Sequence, residues 1–139
     1  MNGIELKPLH CCISVSDVAQ AVDWFERILG FEFVREGDMG HLGFKIAFVR
    51  NGDFQIELFE HSESKPASPA SHIPDEDVRT RGTKHICFQV PDLPSLVEHF
   101  KAHNVRIAMG PMPAAGLHVV FIHGPDDVLM EFAQVPQDA

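Results

Sequence analysis

His10-Cys-Cys-Ile-Ser-Val-Ser-Asp17 returns later in the chain as His85-Ile-Cys-Phe-Gln-Val-Pro-Asp92. In both copies a histidine opens an apolar, β-prone run and an aspartate closes it, with Cys12 matching Cys87 and Val15 matching Val90. A second echo follows each copy. Glu57, inside Ile56-Glu57-Leu58-Phe59, stands 47 residues after His10, and Glu131, inside Met130-Glu131-Phe132, stands 46 after His85. A pattern repeated at this spacing implies a repeated folding unit. The chain is therefore read as two modules, each offering one imidazole on its first strand and one carboxylate on its last.

The local signals supply the rest of each module. Leu9 to Val15 is short, apolar and partly β-branched, and the Ser16-Asp17 pair after it is suited to cap a helix N-terminus. From Val18 to Leu29 the apolar residues recur at three- and four-residue steps, and Gly30 stands where a helix C-cap is wanted. Three strands are expected next, at Glu32 to Arg35, Phe44 to Val49 and Phe54 to Phe59. Glycine-bearing breaks separate them, and Asn51-Gly52-Asp53 marks a hairpin. Module 1, about 8–60, is thus βαβββ.

Residues 61–82, rich in serine, proline and charge, read as a long connector of the kind that often forms a lid or binding loop. Module 2, about 83–135, repeats the pattern. It has a strand at His85 to Val90, a helix at Leu93 to His103, and strands at Val105 to Ile107, His118 to Ile122 and Val128 to Ala133. The Gly110 to Gly116 stretch, with two prolines, reads as a loop, and the tail after Val135 is expected to fray.

With 139 residues, 45% of them hydrophobic, the chain can bury a real core, and 1–139 is read as one α+β domain. A net charge of -9 with only 11 basic residues leaves no cationic patch for nucleic acid or an anionic membrane. No run approaches the roughly 20 apolar residues that span a bilayer, and the N-terminus lacks a signal-peptide pattern. A cytoplasmic protein is expected. Three cysteines, two of them adjacent and none in a CxxC pair, are expected to be reduced thiols.

Strand alternation puts Cys12 and Ser14 on the same face of their strand as His10, Gln55 and Phe59 on the same face as Glu57, and Cys87 and Gln89 on the same face as His85. A histidine or glutamate alone in a strand is ordinarily exposed or paired with a neighbour. Two of each at matching places in a repeat are harder to account for in that way. Glutamates inside apolar strands must face water or find a partner, because burying a lone carboxylate costs several kcal/mol. One divalent metal would satisfy all four groups.

The chain resembles the vicinal oxygen chelate superfamily, which includes glyoxalase I, methylmalonyl-CoA epimerase, extradiol dioxygenases and small antibiotic-resistance proteins. The resemblance is carried by His10 with Val15-Ser16-Asp17, Trp24-Phe25 through Leu29-Gly30-Phe31, Ile56-Glu57-Leu58, His85 with Val90-Pro91-Asp92, and Phe121 through Glu131. It implies two tandem βαβββ modules forming a curled mixed sheet around a metal-binding cavity. It also implies His10, Glu57, His85 and Glu131 as metal ligands, with Mn, Fe, Co, Ni or Zn as the ion.

Four protein ligands leave two octahedral positions, enough for two vicinal substrate oxygens. The resemblance therefore implies a lyase or an isomerase/epimerase that acts on a small carbonyl compound through a metal-stabilised enediolate, with Glu57 and Glu131 as the candidate bases. An Fe(II) extradiol-type dioxygenase and a non-catalytic ligand-binding or resistance protein are the alternatives. The sequence departs from glyoxalase I at Ser14, where an arginine is usual, and from methylmalonyl-CoA epimerase at Glu57, where glutamine is usual. A homodimer is expected, as in relatives that pair modules within one chain or across two.

The remaining candidates carry smaller expectations. Cys12 and Cys87 are expected to face the cavity as small hydrophobes, with Cys11 on the opposite side. Arg79 and Arg81 could steer an anionic substrate, although solvated connector charges are the ordinary case. His41, His61, His72, His99, His103, His118 and His123 have no repeat partners and are read as surface or core residues.

Overall fold

Asp17 begins the first helix as the sequence leads one to expect. In this computed structural model, which describes residues 3–137, its extended backbone lets the carboxylate accept from the Gln20 N–H at 3.0 Å. Gly30 closes the same helix in the left-handed conformation, φ 68°, a position where a β-carbon is disfavoured. Between them α1 (Val18–Leu29) buries Ala21, Phe25 and Ile28. The chain divides between Lys65 and Pro66 into two units.

The first unit holds β1 (His10–Ser14), α1, β2 (Glu32–Met39), β3 (Phe44–Asn51) and β4 (Phe54–His61). Its strands run in the order β1-β4-β3-β2, with β1 parallel to β4 and the other pairs antiparallel. The helix packs on one face of this sheet against β2, β3 and β4. Ile13, Val15, Ala47, Val49, Ile56 and Leu58 are buried there with Phe25. Each of these side chains other than Ala47 contributes about 1.5–3 kcal/mol by leaving water.

The second unit repeats the plan. The connector contains a 3-10 turn at Pro69–His72 and the short α2 (Pro74–Asp77). After it come β5 (Ile86–Gln89), α3 (Leu93–Ala102), β6 (Ile107–Ala114), β7 (Leu117–His123) and β8 (Leu129–Gln134), in the order β5-β8-β7-β6. Asp92 caps α3 as Asp17 caps α1, accepting from the Ser95 N–H at 3.1 Å. The parallel extends to a second cap. Glu60 accepts from the Val18 N–H at 2.9 Å in the first unit, and Gln134 accepts from the Leu93 N–H at 2.7 Å in the second. Each cap stands three residues after the repeated glutamate. The last strand of each module therefore anchors the start of its helix.

The expected loop at Gly110 to Gly116 is corrected by the structure. β6 runs to Ala114 through both prolines, and Ala115 and Gly116, both at positive φ, make the turn to Leu117. Proline reads as a strand breaker because it lacks an N–H, but β6 lies at a sheet edge, where the loss is tolerated. Gly110 is needed for the bulged path. Its φ is 87°, and a β-carbon there would stand 2.7 Å from the Val119 carbonyl oxygen.

β2 also runs further than expected, to Met39, before a 3-10 turn at Gly40–Leu42. The expected fraying of the tail beyond Val135 falls partly outside the described residues. The described helices include none long and apolar enough to cross a membrane.

Candidate metal centre

Parallel pairing of the first and last strands brings each histidine beside its glutamate. In module 1, Cys12 stands opposite Glu57 and His10 is two residues earlier on the same face. The His10 Nε2 lies 3.5 Å from Glu57 Oε1, and the Cys12 thiol donates to the same oxygen at 3.2 Å. In module 2, Cys87 stands opposite Glu131, and the His85 Nε2 lies 3.1 Å from Glu131 Oε1. The side chains of His10 and His85 are 26% and 21% exposed, and those of Glu57 and Glu131 15% and 16%. The two pairs are thus equivalent in register, separation and access to solvent.

Each imidazole is also oriented by a phenylalanine. Phe48, opposite Glu57 on β3, meets His10 edge-on with ring centroids 5.6 Å apart. Phe121, opposite Glu131 on β7, meets His85 edge-on at 4.8 Å. The sequence reading passed over both residues, although in module 1 the Asn-Gly hairpin supplied a signal. Counting back from the Asn51–Phe54 pair places Phe48 across from Glu57. In module 2 the turn between β7 and β8 is a 3-10 segment at Pro125–Asp127, and its register cannot be counted in the same way.

The donor geometry suits a divalent metal. Imidazole nitrogen and carboxylate oxygen bind such ions at about 2.0–2.2 Å, so two of them at right angles around one ion stand roughly 3 Å apart. That is close to the separation within each pair. His10, Cys12 and Glu57 also offer three ligand atoms that all lie within 4.8 Å of one another. Both glutamates keep enough exposure for an ion and a small molecule to reach them.

All three thiols have raised pKa values. Cys12 has its pKa raised by desolvation and then by Glu57, and Cys87 is pushed up to about 11 by desolvation and then by Glu131. Cys11, on the helix side of β1, is pushed up to about 11 chiefly by burial. Cys12 and Cys87 are exposed on the glutamate face, as strand alternation requires.

The other histidines are placed apart from both pairs within their own modules. His61 stacks on Phe44 and accepts from the Glu63 N–H, and His99 and His103 lie ring to ring on α3. His72 and His123 form a latch. Arg106 donates to the His123 Nδ1 at 3.1 Å and to Asp127 at 2.8 Å, which leaves the His123 Nε2 to donate to the His72 carbonyl at 2.8 Å. His72 Nδ1 in turn donates to the Asp127 carbonyl at 3.0 Å. Part of the connector is thereby tied to the β7–β8 turn. Arg79 and Arg81 are exposed just beyond α2.

The chain is similar to proteins named as lyases and as epimerases. The chain is 28% identical to a lactoylglutathione lyase of Pseudomonas putida, over 90% of this chain and 83% of that protein. It is 26% identical to the mitochondrial methylmalonyl-CoA epimerase of Homo sapiens, over 90% and 72%. Its fold matches the structure of an E144Q glyoxalase I mutant from Zea mays with TM-score 0.72 at 20% identity, covering 91% of this chain. The chain spans 44% of that longer maize protein. The family model of the Glyoxalase/Bleomycin resistance protein/Dioxygenase superfamily matches residues 7–132, nearly the whole chain. By that match, and by the paired βαβββ modules that carry it, the chain belongs to this superfamily.

Proposed function

We propose that His10, Glu57, His85 and Glu131 hold one divalent metal and that the protein is a lyase or isomerase/epimerase acting on a small carbonyl compound by proton transfer. The observation that carries this reading is the repeated His–Glu pair at 3.5 and 3.1 Å. The names of the lactoylglutathione lyase and epimerase relatives support the reaction class.

A bound divalent ion would supply Lewis acidity, polarising the carbonyl and stabilising the charge that develops as the adjacent C–H bond breaks. The chain's own residues do the rest. His10 and His85 would hold the ion through Nε2, and the Phe48 and Phe121 edges limit the directions in which their rings can turn. One of the two glutamates takes the proton from carbon and returns it to the neighbouring atom, and the other stays as a ligand. The Cys12 thiol donates to Glu57 Oε1 in module 1. A homodimer belongs to the same proposal and is tested by sedimentation.

The experiment is a screen of 2-oxoaldehydes, hemithioacetals, acyl-CoA thioesters and catechols in D2O, with an oxygen electrode in parallel. A carboxylate base commonly exchanges its proton with solvent, so turnover is expected to place deuterium at the reacting carbon without consuming oxygen. Stoichiometric oxygen uptake with a catechol would overturn the proposal in favour of a dioxygenase.

A further inference from the structure

Each module lays four residues in a row across its sheet, and the two rows differ in kind at one position. In module 1 the row is Arg35, Phe48, Glu57 and Cys12, on β2, β3, β4 and β1. In module 2 it is Met109, Phe121, Glu131 and Cys87, on β6, β7, β8 and β5. The outer residue follows a register shift in both, between Phe33 and Arg35 and between Ile107 and Met109. A bulge turns the next side chain to the other face, and bulges recur where a side chain must be re-aimed. Both modules therefore direct their outer residue toward the glutamate face. Module 2 places a thioether there, and module 1 a cation.

The guanidinium carbon of Arg35 lies 4.0 Å from the centroid of Phe48, the ring that also meets His10. Stacking uses the flat face of the guanidinium and leaves its in-plane N–H donors available. Among the described residues no carboxylate lies within ion-pair distance of Arg35, as is also true of Arg79 and Arg81 on the connector, whereas the other sheet or helix arginines, Arg27, Arg50 and Arg106, are each paired. This holds in a chain with 20 acidic residues. Neighbouring strands stand about 4.8 Å apart, so Arg35 starts roughly 10 Å from Glu57, and stacking over Phe48 closes part of that distance. A small molecule held at the His10–Glu57 end would span the remainder with a few bonds.

We infer that Arg35 is a specificity-determining residue, and that the substrate carries a carboxylate a few bonds from its reacting carbonyl. The inference rests on the metal-site reading above and narrows its substrate class. Guanidinium and carboxylate match as a planar two-point pair, which a lysine at the same position would not reproduce. The acidic chain as a whole repels such a ligand, so a preference that disappears with the Arg35 side chain comes from this guanidinium.

The test uses three chelators on the Co(II)-loaded protein. Acetohydroxamate has a bidentate oxygen head and no charge on its tail, and the monohydroxamates of succinic and glutaric acid add a carboxylate to the same head. A charge-assisted hydrogen bond is worth about 1.5–3 kcal/mol, so at least one carboxylated probe should bind wild type roughly ten- to hundredfold tighter than acetohydroxamate. Arg35→Met, which copies Met109, should abolish that preference while leaving acetohydroxamate affinity and the urea midpoint unchanged. Arg35→Lys should keep only part of it. Equal binding of all three probes to wild type, or a preference that survives in Arg35→Met, would overturn the inference while leaving the metal reading intact. Failure of every probe to bind, or failure to load Co(II), would overturn the metal reading and the inference together.

Discussion

Beside Glu131, the face of module 2 is an apolar patch. Val119, Phe121 and Ala133 are buried, with Ala108, Met109, Met112, Ala114 and Leu117 packed against them. The same positions beside Glu57 carry a different surface. Phe48 and Ile46 answer Phe121 and Val119, Phe59 answers Ala133, and Arg35 answers Met109. The His–Glu pairs themselves hardly differ in spacing or exposure. The duplicated His–Glu positions keep their chemistry while the side chains around them diverge.

The largest expected effects fall on what the modules share. His10→Ala and His85→Ala should each abolish tight metal binding while the circular dichroism spectrum is retained, because both rings stand at a partly open face. Loss of metal in one variant only would break the equivalence. Glu57→Gln and Glu131→Gln should each lower turnover by about 10² to 10⁴-fold, the usual contribution of a general base. Metal titration sharpens the comparison, since the variant that loses turnover but keeps metal identifies the base.

The walls should differ in stability. Phe121 is 7% exposed inside its cluster, and Phe121→Ala should cost about 3–5 kcal/mol, as for a core aromatic. Phe48 is only partly buried, and Phe48→Ala should cost clearly less. Urea denaturation of the two variants compares them, and equal losses would mean that the apolar patch adds nothing to module 2.

A smaller difference lies on the helix side. Cys11 occupies in module 1 the place that Ile86 holds in module 2, opposite Ile56 and Met130 respectively. Its pKa is raised from 9.0 to about 11, so the unfolded chain loses this proton first. The stability it contributes is complete below pH 9 and is lost as the pH rises through about 11. The stability of wild type relative to Cys11→Ala should therefore fall over that interval, as urea midpoints at pH 8 and pH 10.5 would register. The smallest effect is expected at the latch of module 2. Arg106 and Asp127 are largely exposed, and Arg106→Ala should cost no more than about 1 kcal/mol.

The sequence revealed the repeat, the helix of each module to within a residue at each end, and one histidine and one glutamate in each module. These depend on signals that survive in one dimension: an apolar period, a capping aspartate, and a motif that recurs. That each histidine stands beside its glutamate follows only from the parallel pairing of the first and last strands. It did not reveal the course of β6, because prolines tolerated at an edge look like prolines in a loop. Nor did it place Arg35 in the row of Glu57. One inserted residue between Phe33 and Arg35 reverses which side chain faces which way, and such a bulge leaves no mark in the alternation before the partner strand is known. The latch of His72, Arg106, His123 and Asp127 escaped for a similar reason. Its members come from the connector and three separate places in module 2, and they meet through backbone carbonyls, one ring nitrogen and one carboxylate.

We propose that the two His–Glu pairs serve a single ion. It is tested most directly by the metal content of protein purified without a metal-binding tag, reconstituted with excess Co(II) and freed of unbound ion. One Co(II) per chain, lost in both His10→Ala and His85→Ala, is the expected result. Two ions per chain, each abolished by the histidine substitution in its own module, or a wild-type protein that retains none, would contradict it.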